Sequence, residues 1–150
     1  ERPGAGDFAL YGQLTQLVGF DITPRAIAHE LSPRTVAWVY RMEDMSGLEP
    51  TEDDWNNPGA IPETLRGILC EVGRMYVPAQ LANAKAVQAG EKTWQTEIDG
   101  ALWQQQTFPY QAKCLQWLRE AYQALNDADR AQVDGILCDT GVLDLFSDDT

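Results

Sequence analysis

The chain has 150 residues, 44% hydrophobic content, five Trp and five Tyr, which fits one globular domain able to bury a core. Its formal charge of −12 at pH 7 argues against binding a nucleic-acid backbone and disfavours an anionic membrane, both of which ask for a basic surface. No apolar run reaches the roughly 18 residues of a membrane span, and no basic-then-apolar signal segment opens the chain.

The chain begins without Met, and its first helix starts almost at once after Glu1-Arg2. We therefore expect a fragment, or one domain of a longer protein. Cys70, Cys114 and Cys138 are odd in number and show no CxxC spacing, so no disulfide framework or zinc site is expected. They read as reduced, mostly buried thiols of a cytoplasmic protein.

The segment from Pro3 to Val18 carries apolar residues at Phe8, Leu10, Tyr11, Leu14, Leu17 and Val18. They cover more than one helical stripe, which predicts a helix buried on nearly every side, with the other helices packed around it. Gly4 serves as its N-cap, and Asp7 stands three residues on, where a carboxylate reaches back to unpaired backbone N–H groups. Gly19-Phe20-Asp21 is a turn. Thr23-Pro24 starts a short helix to about Leu31, with Thr as cap and Pro at the first helical position. Ser32-Pro33 repeats the device and opens a helix through Met45. Its apolar face is Val36, Val39, Tyr40 and, less strictly, Met42, with Trp38 on the flank; Gly47 is its stop.

Glu49 to Ala60 reads as an exposed acidic loop pinned to the body by Trp55. Pro62 begins a long helix with Leu65, Leu69, Val72, Tyr76 and Ala79 on one face, and Pro78 predicts a kink between Gly73 and Val77. Asp99-Gly100 marks a type I′ hairpin within Thr93 to Gln106. Pairing Ile98 with Ala101 sets Thr96 opposite Trp103 and puts Trp94, Ile98 and Trp103 on one side, which should rest on helices. Pro109 opens a helix with Cys114, Leu118, Ala121 and Leu125 on one face. Asn126 caps a last helix, with Val133, Ile136 and Leu137 inward and Gly141 at its end. Val142, Leu143, Leu145 and Phe146 form an apolar tail that docks, before a frayed Ser147 to Thr150. The expected fold is all-α, a helical bundle with one small hairpin near 94–106. It is organised as a single domain over 1–150: helices in 1–48, the acidic loop in 49–60, and an extension in 61–150.

The capped apolar helix, followed by Pro33-Arg34, Trp38-Val39 and Arg41-Met42, resembles the C-terminal helical domain of bacterial glutathione transferases over Pro3 to Gly47. Gly4 departs from the Ser or Thr usual there, which costs a few tenths of a kcal/mol. The resemblance implies an apolar substrate cleft, for which Tyr11 and Trp38 are the residues to watch. It also implies glutathione as cofactor of a longer parent, held by a preceding thioredoxin-like domain. This chain offers no alternating strand-helix pattern of that kind, so we expect no cofactor site in it and no catalysis by it alone.

Other chemistry finds little support. His29 is the only histidine, sits on a surface-type helix beside Glu30, and reads as solvated or structural. Glu49, Glu52, Asp53 and Asp54 lack the alternation and central Gly of a calcium loop and read as a solvated stretch. Asp7 reads as a capping carboxylate favoured by the helix dipole. We expect no catalytic residue and no metal ligand, and a self-contained hydrolase lacks a paired nucleophile and base. The expected partner is a second copy or the missing thioredoxin-like domain. The alternative function is a non-enzymatic helical interaction or dimerisation module.

Overall fold

A computed structural model describes residues 2–147. The protein is mainly helical, with one two-stranded antiparallel sheet. It divides between Trp55 and Asn56, inside the expected acidic loop, into two compact units. Of the expected frayed end, residues 148–150 lie outside the described part. Among the described residues no helix is long and apolar enough to cross a membrane.

In the first unit α1 (Ala5–Thr15) runs into a π-helical turn (Gln16–Phe20), followed by α2 (Ile22–Leu31) and α3 (Pro33–Glu43). Proline opens α3 at its first turn, where a missing N–H costs nothing. The small core is Val18, Val36 and Val39, with Tyr11, Leu14, Ala28 and Trp38 packed against it. This corrects the expected burial of the first helix. No residue of α1 is buried, and Phe8 and Leu10 stay about half exposed at 50% and 48%. The unit's small core covers a single stripe of this first helical segment, Tyr11 and Leu14 of α1 continued by Val18 of the π turn, and Phe8, Leu10 and Leu17 outside that stripe remain exposed. Three smaller corrections follow. Asp21, not Thr23, precedes the first residue of α2, and α3 ends at Glu43, before Met45. Tyr40 points outward, 54% exposed, and Met42 takes the inward position.

The second unit begins with α4 (Glu63–Glu71), which passes through a π turn (Val72–Tyr76) into α5 (Val77–Gln88). The widened turn falls where Pro78 predicts a break, because Pro78 has no N–H for the regular ladder. Its extra residue advances the helical phase by one position. The inward face downstream is therefore Val77, Gln80, Asn83 and Ala86, not Tyr76 and Ala79. Gly73, inside the turn, allows the backbone of Thr140–Gly141 to approach; a β-carbon there would overlap the Thr140 carbonyl oxygen and lie 2.8 Å from its carbon.

The hairpin pairs β1 (Thr93–Ile98) with β2 (Ala101–Gln106) in the predicted register, Ile98↔Ala101 through Thr93↔Gln106. Asp99 and Gly100 adopt φ of +55° and +76°, as a type I′ turn demands. β1 packs along α5, with Trp94 and Ile98 buried. Trp103 and every other residue of β2 are exposed. Arg74 ties the π turn to the hairpin tip through Asp99, and also bonds Glu71 at 2.6 Å.

α6 (Pro109–Gln123) and α7 (Asp127–Leu137) follow. Asn126 caps α7 by accepting from the Asp129 N–H at 3.0 Å. α7 ends before Gly141, which instead takes φ +79° in the link to a 3₁₀ segment (Val142–Phe146). The core comprises Val77, Leu115, Val142 and Leu145, so the apolar tail docks as expected. On α6 the inward residue is Leu115, whereas Leu118 and Ala121 are exposed, one position off the predicted face. Two side chains fasten this unit. Asn83, fully buried, bonds both the N–H and the C=O of Phe108, at 2.8 and 3.0 Å. Tyr122 stacks on Phe146 with ring centroids 4.3 Å apart and donates to Asp134 at 2.5 Å.

Candidate functional site

The sequence-named residues that converge on a cavity lie in the first unit. Pro3 and Gly4 bring the chain alongside the 3₁₀ turn (Glu52–Asp54). The Arg2 N–H donates to the Asp54 carbonyl at 3.3 Å, and the Arg2 guanidinium pairs with Glu52 at 3.2 Å and lies 4.4 Å from the centre of the Trp55 ring. Trp55 also packs against Gly4, where a β-carbon would stand 3.2 Å from the indole. At the start of α1, Asp7 Oδ2 accepts from the Gly4 N–H at 2.8 Å. Glycine has no side chain to answer with, so only one half of a capping box forms.

Next to this anchored end opens a cleft of about 210 Å³. Trp38, Met42 and Met45 give it an apolar wall; Arg2, Arg41 and Asp7 give it charge. Residues 38, 41, 42 and 45 follow the i, i+3, i+4, i+7 spacing of a single helical stripe, so α3 and the residues just after it present them together. Sequence reasoning singled out Trp38 and missed Arg41, Met42 and Met45 as its companions, although that spacing was there to read. Tyr11, named with Trp38, packs instead against the Val18, Val36 and Val39 cluster. The wall suits a flat or flexible apolar body, and the guanidiniums suit an anionic group on the same molecule.

The other candidates stand apart from this cleft. His29 is exposed on α2, in a shallow surface depression with Ile22, Arg25 and Ala26. Among the acidic residues, Glu52 pairs with Arg2, and Asp54 accepts from the Thr51 N–H at 2.8 Å. No group of three or more His, Cys, Asp or Glu able to hold a metal occurs among the described residues. The thiols belong to the second unit and are free; Cys70 and Cys114 are half-buried, but Cys138 is exposed, which corrects the expectation of mostly buried cysteines. The neighbouring Asp139 carboxylate holds the Cys138 thiol above its ordinary pKa. Compared with known proteins, the chain matches no family model, no curated protein and no solved structure.

Proposed function

We infer that this chain is the C-terminal helical domain of a glutathione transferase-like protein, shaping the apolar side of a substrate cleft in a longer parent and catalytically silent alone. The observation that carries this reading is the cleft beside the capped start of α1. Its wall is built from Trp38 and Met42, two of the residues on which the resemblance rests. The chain's own chemistry agrees: an apolar wall without a neighbouring nucleophile binds and orients, and leaves the thiol chemistry to a domain elsewhere.

The test is to extend the reading frame upstream of Glu1 and apply the full product to glutathione resin. An upstream thioredoxin-like segment with retention, and a raised KM for apolar electrophiles in Trp38→Ala, is the expected result. A frame that starts at once, or a full product that the resin does not hold, refutes it.

A second reading, a non-enzymatic interaction module, is favoured by one observation. Phe20, Ile22 and Leu31 are 70%, 86% and 76% exposed around a single short helix, more apolar surface than an isolated unit usually leaves open. Capture of a stable partner by the chain, lost in Ile22→Glu with Leu31→Glu, would support this reading over the first.

A further inference from the structure

In the second unit β2 pairs with β1 alone among the described residues, which leaves its other edge without a strand partner. In a two-residue type I′ hairpin the residues flanking the turn form a hydrogen-bonded pair, and bonded and non-bonded pairs then alternate. Ile98↔Ala101 is the first such pair, so the inward-bonding residues of β2 are Ala101, Trp103 and Gln105. The Thr107 N–H, donating to the Lys92 carbonyl at 2.9 Å, continues the same alternation. The N–H and C=O groups of Leu102, Gln104 and Gln106 therefore point outward along a free edge.

Native edges are normally blunted by a charge, a proline or a bulge. Here the ladder is regular from end to end, all six residues of β2 are exposed, and no charged residue lies between Asp99 and Lys113. That neutral stretch is notable in a chain of net charge −12, whose copies repel one another over most other approaches.

We propose that β2 is a self-pairing edge, joining a second copy of this chain antiparallel about a two-fold axis through Gln104. The axis sets Leu102 opposite Gln106 of the second copy and Gln104 opposite its own mate. Every outward donor then meets an outward acceptor, and no two like charges face each other. The same spacing read in the same strand makes the edge complementary to itself, which is the requirement of an isologous contact. One strand edge is small beside the roughly 1,200–2,000 Å² of a standard interface, so the dimer is weak and concentration-dependent.

Sedimentation velocity on the full chain, from low micromolar to several hundred micromolar, should show reversible dimerisation. Gln104→Glu and Gln104→Lys each place like charges against themselves on the axis. Both substitutions are on an exposed residue whose backbone groups take no part in the hairpin ladder, and far-ultraviolet circular dichroism checks that each variant folds. Each alone should raise Kd by at least about tenfold, a shift of about 1.4 kcal/mol, while an equimolar mixture should dimerise again as a Glu–Lys pair. A native chain that stays monomeric throughout, single variants that associate like the native chain, or a mixture no tighter than its components would each overturn the proposal.

Discussion

Asn83 offers the sharpest test of how the second unit is held. Its carboxamide is fully buried on α5 and bonds both backbone groups of Phe108, the residue that caps α6. One side chain thus fixes where the hairpin ends and where the next helix begins. Truncation in Asn83→Ala leaves the part-buried Phe108 N–H and C=O without their partner, at about 1–3 kcal/mol each, apart from the cavity left by the buried carboxamide. A loss near 3–5 kcal/mol is expected, and for a chain of this length that lowers Tm by roughly 10 °C or more. Asn83→Asp separates the two bonds. The carboxylate still accepts from the Phe108 N–H, but it has no proton for the Phe108 carbonyl and is buried without a cation. Its folded-state pKa should rise above its unfolded value. The stability of the Asp variant is then fullest below the unfolded pKa of about 4 and is lost as pH rises through the folded one. Urea titrations of the native chain and both variants between pH 3.5 and 8 measure this directly. A loss below 1 kcal/mol in the Ala variant, or a pH-independent gap between the Asp variant and the native chain, would refute the clamp.

Four further outcomes are expected. Gly73→Ala should destabilise by about 2 kcal/mol or more, because a β-carbon would strike the Thr140 backbone and better helix propensity recovers only about 1 kcal/mol. Gly67→Ala, with nothing within 4 Å of the new carbon, should stabilise instead, and thermal melts that show the same sign for both would contradict the packing. Gln80→Met should raise Tm by a few degrees, since the buried Gln80 Oε1 has no hydrogen-bond partner among the described residues; an unchanged or lower Tm counts against this. The hydrogen bond to Asp134 holds the Tyr122 phenol above its ordinary pKa. Its contribution is therefore present below about pH 10 and lost as pH rises through the folded value. The stability difference between the native chain and Tyr122→Phe should shrink only in that alkaline range, as read by chemical unfolding; a gap that closes near neutral pH would sink the assignment.

Local signals in the sequence carried the elements and the hairpin. Asp99-Gly100 determines both the turn and the register, because a two-residue loop leaves a single pairing to follow. Pro33 and Pro109 fix the starts of α3 and α6 by geometry that needs no tertiary partner. What the sequence hid is phase. A face assigned as Leu65, Leu69, Val72, Tyr76 and Ala79 presumes an unbroken period of 3.6, and the π turn inserts one residue exactly once, so Val77 replaces Tyr76. Gly73 was the readable hint, since a glycine inside a helical pattern usually answers to close packing. On α6 the face slipped by one position because Cys114, Leu118 and Ala121 satisfy helical spacing as well as Ala112, Leu115 and Tyr122 do, and only the docked tail decides between them. Asn83 gave no signal at all, since a buried amide is recognisable only from the backbone it bonds. At the cleft, Trp38 was legible as an aromatic on a helix flank, while its charged companions Arg2 and Asp7 come from a segment whose fold depends on Trp55.

The meeting of the π turn with Thr140–Gly141 has a consequence for how substitutions combine. Gly73 and Gly141 face each other backbone to backbone, and a β-carbon on Gly141 would stand 3.3 Å from the Gly73 Cα. A side chain at Gly73 must force the segments apart, whereas one at Gly141 asks for only a small shift, and the space opened for the first is then available to the second. Positions remote in sequence thus behave as one mutational unit. The packing part of the two penalties is shared, so a double variant should fall short of the sum of its parts, while the left-handed strain of a side chain at Gly141, φ +79°, stays in full.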